Sequence, residues 1–178
     1  MKGFLKLIAV CDNISYKISK IGAVVSGILV SLITIMIFMY IINRAFIGGV
    51  WLFVEEWTAL SLIPIAYLGM GYTLRANRHL YIDVLTRKFS TKRKDLVSAI
   101  VSVFSLLVLG FMIERSYDWM MYTIHQQIKS TGPMRTPMWI FSCSMFLGFC
   151  MYAVDMFFFT VSDFLKIFGS KLSLQFED

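Results

Sequence analysis

The sequence is poor in charge: of its 178 residues only 16% are Asp, Glu, Lys or Arg, while 58% are hydrophobic. A soluble domain of this length has no core large enough to hide that much apolar surface, so the composition asks for a bilayer as solvent. Histidine is scarcer still, with only His79 and His125. No HExxH, phosphate-binding loop, dinucleotide fingerprint or nucleophile elbow occurs in the chain. The residues offer no catalytic constellation, no metal set and no cofactor set, which argues against an enzyme. The three cysteines, Cys11, Cys143 and Cys150, form neither an even framework nor a CxxC pair, and read as small membrane residues. Proline also numbers three: Pro64 falls inside an apolar run, and Pro133 and Pro137 stand with Gly132 as breakers.

What the chain does have is bases placed at the ends of apolar runs. The net charge of +6 could suggest nucleic acid, but the bases form no groove-lining patch, so nucleic acid is not expected as a partner. The organising stretch runs from Glu55 to Asp83. Two acids open it, an uncharged run from Trp57 to Leu74 follows, and Arg75, Arg78, His79 and Asp83 close it. Eighteen residues make about 27 Å of helix, close to the hydrocarbon thickness of a bilayer.

Read in order, the chain is a single all-α membrane domain with four transmembrane helices. Residues 1–20 read as an interfacial amphipathic helix, with Phe4, Ile8, Cys11 and Ile18 toward lipid and Lys2, Lys6, Asp12 and Lys17 kept wet. The spans are 21–42, 57–74, 96–113 and 138–161, uncharged except for Asp155 in the last. Pro64 removes one backbone donor from the second span, which membrane helices tolerate where packing compensates. Residues 75–95 form a basic loop, 114–137 a polar connector and 162–178 a short tail.

Four spans put both termini on one side. Four Lys or Arg precede the first span, seven lie in the 75–95 loop and two follow the fourth; only Arg44, Arg115, Lys129 and Arg135 lie elsewhere. The positive-inside rule then places termini and basic loop in the cytoplasm. Trp51, Trp57, Trp119 and Trp139 fall at the opposite boundary, as an aromatic belt does. This topology puts His79 and His125 on opposite faces, so they cannot share a haem or a metal.

A few residues stand out as candidates. Glu55 and Glu56 begin the second helix, where acids are favoured; alternatively one turns inward to a base such as Arg44, or to a partner protein. Adjacent helical residues point about 100° apart, so one of the two at most faces a given partner. Arg75, His79 and Asp83 are spaced i, i+4, i+8 and would form one polar stripe on a continued helix, or else a simple stop-transfer flank. Asp155 lies roughly 26 Å into the fourth span, near the cytoplasmic boundary, where Arg75 is a suitable partner. Ala66 and Gly69 give a small-residue patch where another helix can approach.

Glu55 or Glu56, the apolar helix with Leu68-Gly69, Arg75 and then His79-Leu80-Tyr81-Ile82-Asp83 resemble the motif region of the small membrane subunits of tripartite ATP-independent periplasmic (TRAP) transporters. The span count, the length and the Pro137-Met138-Trp139 start of the last helix are similar too, so the resemblance covers nearly the whole chain. The chain departs in carrying Ala76-Asn77-Arg78 where many members have a small residue between Arg and His. The resemblance implies a helper in the bacterial inner membrane. A large membrane subunit would hold the substrate and sodium sites and move substrate by an elevator motion. A periplasmic binding protein would deliver an organic acid, such as a C4-dicarboxylate or sialic acid. The small subunit would brace the large one and help dock the binding protein. From the residues alone two other readings stay open: an independent four-helix homodimeric transporter, and a membrane anchor of an enzyme complex.

Overall fold

Each uncharged run becomes one continuous helix. In the computed structural model, which describes residues 2–76 and 91–167, the helices are α1 (Lys2–Phe46), α2 (Leu52–Ala76), α3 (Thr91–His125) and α4 (Trp139–Ile167). All four are long and apolar enough to cross a membrane. Of the basic loop expected over 75–95, residues 75–76 belong to α2 and 91–95 to α3; residues 77–90 and the tail beyond Ile167 lie outside the described residues, and His79 and Asp83 with them.

α1 departs from expectation. It runs through all 45 residues with no break near residue 20, a length of about 67 Å. Asp12, expected to stay wet on an interfacial surface, is instead buried to 1% exposure. The reason is periodicity: Asp12, Ser15, Ser19, Gly22 and Ser26 recur every three or four residues on one face. That face continues the packed side of the span, so the helix carries Asp12 into the bundle. α3 likewise persists twelve residues past Ile113, and the connector to α4 shortens to residues 126–138.

The helices pack in the order α1–α2–α4–α3, with a lighter contact between α1 and α4. α2 and α4 run parallel at the centre: Trp57 meets Phe141, Tyr67 meets Phe149 at 4.9 Å between ring centroids, and Arg75 meets Asp155. α1 and α3 run antiparallel to them as outer helices. Both short connectors, 47–51 and 126–138, therefore lie at one end of the bundle, and the start of α1 lies at the other.

Small residues permit the central crossings. A side-chain carbon at Gly22 of α1 would lie 2.6 Å from the Leu68 carbonyl oxygen, and one at Gly148 of α4 would lie 2.6 Å from Tyr67. α2 is thus gripped on two sides at its midpoint by backbones that approach too closely for a methyl group. Between α3 and α4 a conventional apolar cluster forms from Leu109, Met156 and Phe159, joined by Leu74, Leu106, Ile113 and Phe149. Ile28, Ile35 and Phe38 on α1 and Phe104 and Leu107 on α3 are more than half exposed, as lipid-facing side chains are.

Candidate functional site

The three most buried charges of the described chain meet at one point, at the end opposite the connectors. Arg75 comes from the last turn of α2, Asp155 from α4 and Asp12 from α1, with exposures of 2%, 0% and 1%. The Arg75 guanidinium donates from Nε and Nη2 to Asp155 Oδ1 at 2.9 and 2.6 Å, and from Nη1 to Asp12 Oδ1 at 3.0 Å. Ser15 of α1 donates its hydroxyl to Asp155 Oδ1 at 2.6 Å, and Ser19 donates to Oδ2. The Tyr16 ring lies 5.8 Å from the guanidinium carbon and meets the Tyr72 ring at a tilt, 6.5 Å between centroids.

Both carboxylate oxygens of Asp155 are thus occupied, by four donors from two helices. Arginine suits this role because its fork is rigid, stays charged and bridges two carboxylates at once. The arrangement ties α1, α2 and α4 together and leaves Asp155 little capacity for another ligand. Chemically it is a clamp.

Gly71 makes room for it. One turn before Arg75 on α2, a side-chain carbon here would sit 2.6 Å from Asp155 Oδ2 and 3.0 Å from Ser19 Oγ. Gly71→Ala must therefore push Asp155 off its serine. We expect a loss of about 1–3 kcal/mol, as for other overpacked interiors, read as a lower melting temperature in mild detergent.

A second anchor forms at the connector end. Glu56, one turn into α2, is buried, and its carboxylate accepts the backbone N–H groups of Met134 at 2.8 Å and Thr136 at 3.0 Å. The connector it holds is a small hairpin. Ser130 N–H donates to the Thr136 carbonyl at 2.8 Å and Met138 N–H to the Ile128 carbonyl at 3.0 Å. α3 ends in a left-handed cap: Gln127 has φ 45°, its N–H reaches the Ile124 carbonyl, and the Ile128 N–H reaches that of Thr123. Gly132 lies so close to the Glu56 carboxylate that a methyl group there would overlap it.

The family model for the DctQ component of tripartite ATP-independent periplasmic transporters matches residues 33–168. The chain belongs to that family. No curated protein and no solved structure matches. The match takes in Arg75, Asp155 and Glu56, and begins after Asp12, Ser15 and Ser19. A DctQ-family chain is a multi-pass membrane protein and a transporter component, not an enzyme.

Arg75 and Asp155 pair, as their matched depths suggest. Of the two acids, Glu56 turns inward, but onto backbone amides of the α3–α4 connector rather than onto Arg44. Glu55 stays exposed and accepts from the Tyr40 hydroxyl of α1 at 3.3 Å. A side-chain carbon at Gly69 would lie 3.5 Å from Ser26 Oγ of α1, so that half of the small patch serves the α1–α2 contact, while Ala66 remains exposed. Trp51, Trp57 and Trp139 gather near the connectors. Trp119 sits deeper: its neighbour Tyr117 packs on Phe146, seven residues into α4. Sequence reasoning missed Asp12, Ser15 and Ser19. Their three-and-four spacing was the available signal.

Proposed function

We propose that the chain is the scaffold and docking subunit of a sodium-coupled importer of organic acids in a bacterial inner membrane. A large elevator-type membrane subunit would carry the substrate and sodium sites, and a periplasmic binding protein would supply the acid. In this reading both termini lie in the cytoplasm and both short connectors in the periplasm, the orientation that the excess of Lys and Arg favours. The hairpin held by Glu56 then faces the binding protein.

The observation that carries the reading is the state of Asp155. A small independent transporter needs a functional acid within a span that can exchange ligands. Asp155 is fully buried, with both oxygens engaged by Arg75, Ser15 and Ser19. An acid spent on tying three helices together suits a rigid brace, not a moving carrier. The family membership supports the tripartite assembly.

Two measurements test this together. A tagged chain, extracted from native membranes in mild detergent, should bring down a large polytopic membrane protein in stoichiometric amount. Liposomes holding the chain alone should move no organic acid in a sodium gradient, and those holding both membrane subunits should do so when the binding protein is added. Uptake by the chain alone, or recovery of the chain only with itself, would favour the homodimeric carrier.

A further inference from the structure

Three charged residues of α3 lie at a depth where the other described helices carry none. Ile113 packs on the cluster that includes Phe149, and the Tyr117 ring lies 5.7 Å from that of Phe146. Glu114, Arg115 and Asp118 are therefore level with residues 146–152 of α4. Phe149 is ten residues below Trp139, about 15 Å along the helix. It also packs on Tyr67, ten residues below Trp57 within the uncharged run of α2. By the neighbouring helices' own apolar runs, Glu114 stands near mid-depth and Asp118 about one turn nearer the connectors.

They also point away from the bundle. Ile100, Phe104, Leu107, Phe111, Glu114 and Asp118 follow the helical repeat down one stripe, and every one of them is exposed. α4 is the helix that α3 packs along, on its other side. Arg115 and Asp118 pair with each other at 3.6 Å with side chains 62% and 59% exposed. Among the described residues Glu114 makes no ion pair. A stripe that is apolar over Ile100–Phe111 and net acidic at Glu114–Asp118 is ill suited to lipid, because charges at such depth face protein or a water-filled cavity.

We propose that this outward stripe of α3 is where the large membrane subunit packs, and that the partner brings a cationic or hydrogen-bond-donating side chain level with Glu114. The inference rests on the scaffold reading above. Charge complementarity selects the occupant: the apolar part of the stripe suits a membrane helix, and the unpaired Glu114 calls for a base from that helix. A bare bilayer supplies none at that depth.

The test uses the purified complex of this chain with its large subunit. A photo-activated benzoylphenylalanine replaces Glu114 or Phe111, and in parallel the exposed Val24 on α1. Adducts with the large subunit should form several-fold more from positions 111 and 114 than from position 24. In the same complex, Asp118→Cys should resist a membrane-impermeant maleimide, and Glu114→Lys should lower recovery of the large subunit several-fold while Glu114→Gln retains most of it. Adducts with lipid alone, adducts with a second copy of this chain, or rapid maleimide labelling that places the stretch in water would each overturn the proposal. If no large subunit co-purifies at all, the scaffold reading itself fails. An intact complex without adducts at 111 and 114 defeats only the α3 placement.

Discussion

Arg75→Met will leave the chain inserted in the membrane but sharply less stable. Removing the guanidinium takes the cationic partner from Asp155 and a charged contact from Asp12, both almost fully buried. Breaking a buried ion pair on one side costs about 3–5 kcal/mol, because an uncompensated charge remains. For a protein of this size that corresponds to a fall in melting temperature of roughly 10 °C. Asp155→Asn should cost less. The amide oxygen can still accept from a serine, and the guanidinium keeps Asp12. The diagnostic variant is Arg75→Met combined with Asp155→Leu, which removes the Arg75–Asp155 pair, fills its place with apolar volume and leaves Asp12 as the one acid of the cluster. Apolar replacement of buried ion pairs is often close to neutral. The double variant should therefore melt well above the sum of the two single losses. Thermal unfolding of the wild type, Arg75→Met, Asp155→Leu and the double variant in one mild detergent gives this coupling directly. Strict additivity would mean that the contact carries no energy of its own.

That cluster also marks how far the sequence can be read. The four helices follow from uncharged runs of bilayer length, since backbone groups in lipid must bond within their own segment. The pairing of Arg75 with Asp155 follows from depth alone: each sits near the same end of its span, and an acid in lipid needs a base. The third member was hidden by its surroundings. Asp12-Asn13 reads as a polar interruption of a short apolar stretch. Only the repeat through Ser15, Ser19, Gly22 and Ser26 reveals it as part of a packed face, and that repeat gains meaning once a partner cation is known. The register of α3 was hidden for a different reason. Charges mark where a span ends only if they meet water, so Glu114 suggested a boundary after Ile113. In the fold, the length of the 126–138 hairpin sets the register, and it holds Glu114 well below the end of α3.

The choice between Glu55 and Glu56 illustrates the same limit and leads to the second large effect. Both acids begin one helix, and nothing in their order says which turns inward. The answer lies in the backbone of a distant loop. Arg135 takes a left-handed φ of 50°, which sets the N–H groups of Met134 and Thr136 on either side of it toward one carboxylate. Convergent amides of this kind form an anion-binding concavity. A left-handed arginine is uncommon and is favoured by no local sequence signal, so the carboxylate helps to hold the turn that in turn binds it. Glu56→Ala should release that turn. Two amides lose a charged acceptor, and hydrogen exchange over residues 128–138 should quicken by roughly tenfold or more, since bonds to charged groups are the stronger ones. Glu56→Gln keeps one acceptor oxygen and should fall between. Glu55→Ala, which loses only the longer contact from Tyr40, should leave the exchange of this segment near its wild-type rate. Hydrogen exchange read by mass spectrometry on the three variants separates these outcomes. Equal rates in Glu56→Ala and wild type would mean that the hairpin holds itself. Faster exchange confined to this segment would identify Glu56 as the residue that keeps the connector in one shape, ready for a partner to meet without ordering it first.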